Sequence, residues 1–355
     1  MFSTVIKELI NVLLSIRIER PKYKLSLEDY DTKGLIKEVG IHRLKRPSRF
    51  LRVGAIDAAS VSIHVGFSEL AIAAVSYVGH RLFIALPSYK NINVSSDIPP
   101  IISSYISLNN VKWITNKYVK IGTKYLDDPE LPEGALAHDI RISLESYMIK
   151  ELANFVDADV VIIDGPLEYP LKHPIEESKW NKEIKLLNEE RVKSIRGLVE
   201  KGVIPVSIVK RISGSRYLVR NTKEAINDAL IIIKIIDNID KPSYLGPIIT
   251  KGRYSNMTRY LYYIVIPIKT HLTSYSLFRV ELPKEAIESF STEYINNILS
   301  YLAYNSLGYG LSLPYKLVQA DRASKKIVSM ISSLTEGILR LKGITLIQGG
   351  MLYEW

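Results

Sequence analysis

The chain has 355 residues, of which 47% are hydrophobic, so it can bury one large α/β domain or two smaller ones and is not a disordered segment. Lys and Arg outnumber Asp and Glu by 47 to 37, and this basic excess favours a polyanionic partner such as a nucleic acid. The absence of cysteine excludes disulfides, thiolate zinc sites and cysteine nucleophiles, and it is compatible with a cytoplasmic protein.

The first 50 residues differ in character from the rest of the chain. Apolar residues recur every three to four positions over 1–20, which predicts an amphipathic helix rather than a secretion signal. Residues 21–50 are polar, basic and broken by Pro and Gly, as expected of a linker. We therefore expect a single domain over 51–355. No apolar run reaches the roughly 18 residues of a membrane-spanning helix, so we expect no membrane partner.

The first half of that domain combines strands with one helix. Alternating and β-branched residues predict strands at 52–58, 62–77 and 81–85. Helical periodicity predicts a helix over 135–155. The apolar run at 158–163 is typical of a strand buried on both faces, and the Asp-Gly-Pro that follows it predicts a turn.

The second half is predicted in the same way. A charged helix over about 176–201 ends near a glycine, and further elements follow: a strand at 203–209, a helix at 223–239, strands at 260–270 and 276–281, and helices at 284–307 and 316–341. This order predicts an α/β fold with a ribonuclease-H-like mixed sheet, flanking helices and additional β-strands. The helix around 176–201 is expected to be an insertion.

Two aspartates occupy matching places in this pattern. Asp57 closes the predicted strand VGAID and Asp164 closes VVIID. Ligands of open α/β sheets collect beyond the carboxyl ends of the strands, so the two carboxylates lie close together if these strands are neighbours. Such a pair is unfavourable without a cation, and hard divalent cations prefer oxygen ligands. We therefore hypothesise a Mg²⁺ or Mn²⁺ site. The alternative is that each Asp is only a turn former or a helix cap.

Two further acids lie on predicted helices. Glu145 falls among apolar residues and is placed to point toward the strand ends, but it could instead pair on the surface with Arg141. Asp321 has the same two interpretations, the second being a pair with Lys325.

Basic residues cluster at 43–52, and Arg49 and Arg52 are the members that we expect to contact DNA phosphates. The alternative is a solvated basic face.

Five segments resemble, in order, the motifs of the NurA family. They are RVGAIDAAS, RISLESYMIKELANFVDADVVIIDGPLEYP, IVKRISGSR, FRVELP and PYKLVQADRAS, and they cover residues 51 to about 326. The resemblance implies that Asp57, Glu145 and Asp164 are catalytic metal ligands. The last motif departs from the family pattern, because Leu313 replaces a Tyr and Asp321 replaces a His.

The departures leave roles open for nearby residues. Asp321 could be a fourth metal-binding carboxylate, and Tyr315 could replace the lost tyrosine and contact DNA. In a site of this kind Lys210 would contact the scissile phosphate, with Arg211 and Arg216 on flanking phosphates. The alternative for Lys210 is a surface cation at a strand end.

The resemblance implies a function as well as a site. It is that of a Mn²⁺- or Mg²⁺-dependent DNA exo- and endonuclease, with two metal ions at the carboxylates. It also implies a homodimer that acts on DNA ends in repair, together with a HerA-type hexameric translocase. Two alternatives stay open: a catalytically impaired DNA-binding clamp, and a ribonuclease-H-fold phosphotransferase, although the first strand lacks the Gly-rich phosphate turn that the latter needs.

Overall fold

The structure is a computed structural model. It describes residues 40–65, 68–88, 98–106, 114–115, 119–122, 134–155, 157–170, 178–218, 227–235, 239–252, 255–269, 273–308 and 313–343. The predicted helix at 1–20 and most of the predicted linker lie outside the described residues.

The described strands are β1 Ile41–Arg43, β2 Val53–Val65, β3 Ser68–Val78, β4 Phe83–Leu86, β5 Ile102–Ile106, β6 Ile114–Thr115, β7 Val119–Gly122, β8 Val160–Asp164, β9 Ile204–Val209, β10 Ser243–Lys251, β11 Thr258–Lys269 and β12 Thr273–Pro283. The described helices are α1 Ala135–Leu152, α2 Lys179–Glu200, α3 Asp228–Ile235, α4 Lys284–Ser289, α5 Thr292–Gly308 and α6 Tyr315–Leu341. None of these helices is both long and apolar enough to cross a membrane.

All twelve strands join one mixed sheet in the order β1-β10-β11-β12-β9-β8-β2-β3-β5-β7-β6, with β4 paired to β3. At its centre β2 runs antiparallel to β3 and parallel to β8, and β8 runs parallel to β9. Helix α2 connects β8 to β9, as a crossover between parallel neighbours requires. This mixed α/β architecture confirms the predicted fold class, and its central order is compatible with a ribonuclease-H-like arrangement.

Helices cover both faces of the sheet. Helices α1 and α2 bury residues such as Met148 and Ile195 against one face, which includes Ile56 and Ile163. Helices α4, α5 and α6 pack on the opposite face, which includes Ala55 and Ile162. Successive strand residues point to opposite faces, so both faces of β2 and β8 are apolar. A polar residue at a strand end therefore faces either α1 and α2 or α4, α5 and α6, depending on its position in the strand.

Three differences from the predicted elements have physical causes. The break predicted between the strands at 52–58 and 62–77 was wrong, because β2 continues to Val65 and pairs with β3 from Ala55 to Val65. Strand β10 was not predicted, because a Gly-Pro pair and a register shift interrupt it. The helix predicted at 284–307 is divided at Phe290 and Ser291 into α4 and α5. The helix predicted at 223–239 is described only over α3.

Candidate metal centre

The two predicted aspartates are neighbours in the sheet. The parallel pairing of β2 with β8 reaches Ile56 opposite Ile163, so the next residues, Asp57 and Asp164, lie side by side. Asp164 ends β8, whereas Asp57 lies inside β2, so the prediction that both residues end their strands was wrong for Asp57. Asp57 and Asp164 are nevertheless adjacent, because β8 ends at Asp164 while β2 continues beside β3.

Helix α6 brings the third acid to the same place. The hydroxyl of Ser76 donates to the carbonyl oxygen of Ala320 over 2.9 Å, and the hydroxyl of Ser324 donates to Oδ2 of Asp57 over 2.5 Å. These two bonds fix the turn of α6 that carries Asp321 against β2 and β3. One carboxylate oxygen from each of the three aspartates lies within 4.8 Å of the others. We call Asp57, Asp164 and Asp321 the carboxylate cluster.

Asp321 makes the predicted helical ion pair and also lies in the carboxylate cluster, and its role as a metal ligand stays a prediction. Its Oδ2 lies 3.3 Å from Nζ of Lys325, as a helical pair at i and i+4 would have it. The other carboxylate oxygen, Oδ1, lies 3.5 Å from Nζ of Lys210. The pair with Lys325 is therefore real, but it does not draw Asp321 away from the cluster.

Lys210 enters the cluster directly after β9. Its Nζ donates to Oδ2 of Asp164 over 3.0 Å, in addition to its contact with Asp321. The carboxylates raise the pKa of Lys210, although burial works in the opposite direction. Lys210 therefore lies at the cluster as a charged ammonium between two of its carboxylates, and its contact with the scissile phosphate stays a prediction.

The two central carboxyl groups differ in their affinity for a proton. Burial raises the pKa of Asp57 well above its ordinary value, and the adjacent charge of Asp164 adds to the rise. Burial also works against the charged form of Asp164, but Lys210 and a hydrogen bond with Asp57 outweigh it and lower the pKa of Asp164. The proton shared by the pair therefore resides mainly on Asp57. A bound cation would replace it.

Glu145 lies outside the carboxylate cluster, on the other face of the sheet. It is buried on α1, and its Oε2 accepts hydrogen bonds from Arg191 and, over 3.2 Å, from the hydroxyl of Tyr169. The expected surface pair with Arg141 was therefore wrong, because Arg191 from α2 takes that place. Glu145 is close enough to Asp164 to feel its charge. Its role as a fourth ligand stays a prediction.

The basic and aromatic candidates fall into two groups. Arg52 is engaged, since its guanidinium donates to both oxygens of Asp159. Tyr315 is also engaged, because its hydroxyl accepts a hydrogen bond from Gln319 over 2.9 Å. The others have exposed side chains: Arg49, Arg211 and Arg216. Contact of any of these five residues with DNA stays a prediction.

A buried ionic network was missed by the sequence predictions. Glu281 on β12 accepts from Arg279 and Arg259, and its Oε2 also accepts from the backbone N–H of Leu167 over 3.0 Å. Arg279 continues to the hydroxyl of Ser215 over 2.7 Å. The network therefore braces the loop after Asp164 and the loop after Lys210 together. We call Glu281, Arg279 and Arg259 the ionic brace.

Sequence signals for these missed residues do exist. Arg191 lies four residues from Leu187 and from Ile195, both buried, so it falls on the apolar stripe of α2. Arg279 and Glu281 alternate with apolar residues on a strand, at positions that face a core. A charge at an apolar position indicates a buried partner, but only the fold identifies that partner.

The chain is similar to a known protein family. A family model described as "NurA domain" matches residues 136–325, more than half of the chain. No curated protein sequence is a significant match.

Solved structures give similarities at low identity. The NurA nuclease from Sulfolobus solfataricus is 13% identical, with a TM-score of 0.47, over 94% of each chain. A NurA with manganese is 11% identical, with a TM-score of 0.47, over 96% of this chain and 97% of that one. A NurA bound to dAMP and manganese is 10% identical, with a TM-score of 0.42, over 79% and 85%. These identities and TM-scores are too low to support a functional conclusion, so the family assignment rests on the match to the family model.

Proposed function

The chain belongs to the NurA family, and from that premise we propose that it is a divalent-metal-dependent DNA nuclease. The observation that carries the proposal is the carboxylate cluster, in which three aspartate oxygens lie within 4.8 Å of one another. Three carboxylates in so small a space, with Lys210 as their inner countercharge, suit a site that holds a divalent cation.

The donor set fits the metal that the family implies. Carboxylate oxygens are the ligands that Mg²⁺ and Mn²⁺ prefer, and neither nitrogen nor sulfur ligands are needed. Asp57, Asp164 and Asp321 would hold the ion, with Glu145 as a further candidate. A metal bound there would activate water as a nucleophile and stabilise charge on the phosphate.

The side chains around the ion have separate tasks. Ser324 orients Asp57 by donating to Oδ2, which leaves its Oδ1 available to the cation. Lys210 now neutralises Asp164 and Asp321, and a divalent ion would take over that task. We propose that the ammonium of Lys210 then contacts the scissile phosphate. Arg211 and Arg216, which follow it on an exposed loop, would contact flanking phosphates.

The partners are proposed from the family and the charge of the chain. The net charge of +10 suits DNA, and we propose action on DNA ends in repair, on single- or double-stranded substrates. A homodimer, a HerA-type hexameric translocase as partner and a cytoplasmic location complete the proposal, with Arg49, Arg52 and Tyr315 as further DNA contacts.

One observation favours a second candidate function, a DNA-binding clamp with impaired catalysis. Leu313 and Asp321 occupy the positions at which the resembled motif has Tyr and His. An aspartate is a poorer proton donor than a histidine at neutral pH. The clamp would bind DNA ends and leave them uncut.

Incubation of end-labelled DNA with the protein, with and without Mn²⁺ or Mg²⁺, separates the two functions. The nuclease proposal expects shortening of the label only with metal, and loss of that shortening in Asp164→Asn. DNA that binds but stays intact with either metal would support the clamp instead.

A further inference from the structure

Arg191 and Arg141 are two arginines near the carboxylate cluster, and they are used differently. Arg191 is completely buried, and all three of its guanidinium nitrogens have acceptors. Nη1 donates to Glu145, while Nε and Nη2 donate over 3.2 Å to the carbonyl oxygens of Leu167 and Pro166. Arg191 therefore accounts for the charge of Glu145, and each of its guanidinium nitrogens is engaged within the fold.

Arg141 lies one turn before Glu145 on α1 and is half-buried. Its Nε is buried and has no hydrogen-bond partner among the described residues. A guanidinium has five N–H donors and no acceptor, and among the described residues at least its Nε–H is left unused. Buried charged donors without acceptors are unfavourable, and one at this position needs an explanation.

The surroundings of Arg141 indicate what it faces. Burial opposes its charge, yet its pKa is raised, because Tyr169, Glu145, Asp164 and Asp57 lie within electrostatic reach. Arg141 therefore approaches the carboxylate cluster from the α1 side, whereas Asp321 reaches it from α6 on the other side. Among the described residues no carboxylate of the cluster forms an ion pair with Arg141, so the cluster does not occupy its donors.

We propose that Arg141 binds the phosphate group that occupies the metal site, and that it is a substrate-binding and catalytic residue of this protein. A guanidinium can donate two parallel hydrogen bonds to a phosphate, which orients the group as well as neutralising it. Carboxylates that hold a divalent ion no longer compete for the guanidinium, and the phosphate supplies the acceptors that Arg141 lacks. The inference rests on the proposed nuclease function for the identity of the substrate.

Phosphate binding can be measured apart from cleavage. Thymidine 5′-monophosphate contains no phosphodiester, so its affinity in the presence of Mn²⁺ reports binding alone, and thymidine is the matched probe without phosphate. The variants are Arg141→Gln and Arg141→Lys. Arg196→Gln is the control, because Arg196 is an exposed helical arginine whose partner is the equally exposed Glu285.

We expect Arg141→Gln to weaken binding of thymidine 5′-monophosphate at least about tenfold, and Arg141→Lys to weaken it less. Thymidine should bind all variants equally. Mn²⁺ affinity should be unchanged or tighter in Arg141→Gln, because a positive charge near the ion is removed. Cleavage of a single-stranded oligonucleotide should fall by roughly 10²- to 10³-fold, as expected for loss of one preorganised donor to the transition state.

The outcomes separate this inference from the proposed function. Equal nucleotide affinity in wild type and Arg141→Gln would overturn the inference even if the wild type cleaves DNA. Loss of Mn²⁺ binding in Arg141→Gln would also overturn it, since the residue would then act through the metal site. Arg141-dependent nucleotide binding in a wild-type protein that fails to cleave DNA would support the inference and refute the nuclease.

Discussion

The carboxylate cluster and the ionic brace both bury charge beside the same two loops, but only in the brace does every carboxylate pair with a buried cation. In the brace, Glu281 is fully buried and is surrounded by the guanidinium groups of Arg259 and Arg279. In the cluster, three carboxylates share Lys210, and the second countercharge, Lys325, is half exposed. The carboxylate of the brace is neutralised within the chain, whereas the three carboxylates of the cluster cannot all be charged unless a cation replaces the proton on Asp57.

The pKa values express the same difference. Burial alone would raise the pKa of Glu281, yet Arg279 and Arg259 outweigh it and hold that pKa below its ordinary value. For Asp57, burial and the adjacent carboxylate act together and raise the pKa. Charge that the fold balances serves structure, and charge that it leaves unbalanced marks a place for a ligand.

The largest effect is expected from Asp164→Asn, which removes the charged centre of the cluster. Cleavage should fall by at least about 10³-fold, because one ligand of the ion becomes neutral, while DNA affinity stays within about threefold, since phosphate contacts dominate binding. Gel assays of cleavage and fluorescence anisotropy measure the two quantities. Asp159→Asn is the control, because Asp159 precedes the same strand and pairs with Arg52 instead. Undiminished cleavage by Asp164→Asn, free of contaminating nuclease, would refute the site.

Asp321→Asn tests whether the third carboxylate belongs to the cluster in function as well as in position. We expect weaker Mn²⁺ binding by calorimetry and a loss of cleavage of about 10²-fold, because a ligand is lost. Lys325→Gln removes only the helical ion pair, which is worth about 0.5 kcal/mol, and should leave both quantities nearly unchanged. If the two variants behave alike, Asp321 is a surface residue and the cluster has two members.

Glu281→Gln should lower the free energy of unfolding by about 3–5 kcal/mol, because two buried guanidinium groups lose their carboxylate. Asp57→Asn should change that free energy in the metal-free protein by less than about 1 kcal/mol, since the amide is neutral like the protonated carboxyl group and keeps hydrogen-bonding capacity. Urea unfolding measures both, with Glu285→Gln, a half-exposed carboxylate paired with the exposed Arg196, as the control. A large loss in Asp57→Asn together with a small one in Glu281→Gln would invert the comparison.

Local pattern was enough to predict the aspartates of the cluster but not the brace. Asp164 ends an apolar run that can only be a buried strand, so its position followed from sequence. Asp57 was predicted to lie beside Asp164, which it does, but not at the end of its strand, because pairing with β3 extends β2 to Val65.

Long-range pairing accounts for the rest. Arg191 meets Glu145 across 46 positions of sequence, and Arg279 meets Ser215 across 64. Periodicity says that such side chains are buried, but it does not say which partner balances them. The same limit applies to Arg141, whose expected partner four residues away was taken by a residue from another helix.

The smallest expected effect concerns two arginines of the basic cluster at 43–52, and it extends the comparison from carboxylates to cations. Arg52 donates to Asp159 through Nε and Nη2, so its charge is balanced within the fold. Arg49 is exposed, and its hydrogen bonds with the Asn297 carboxamide are made by its backbone N–H and carbonyl oxygen. If unbalanced charge is what serves ligands, Arg49→Gln should weaken DNA binding about two- to threefold and reduce the slope of log affinity against log salt by up to about 1. Arg52→Gln should change neither by a measurable amount, although it removes the same formal charge.

Anisotropy titrations from low to physiological salt give both slopes. Equal slope changes in the two variants would show that formal charge alone governs binding, and the distinction between balanced and unbalanced charge would then fail for cations on this surface.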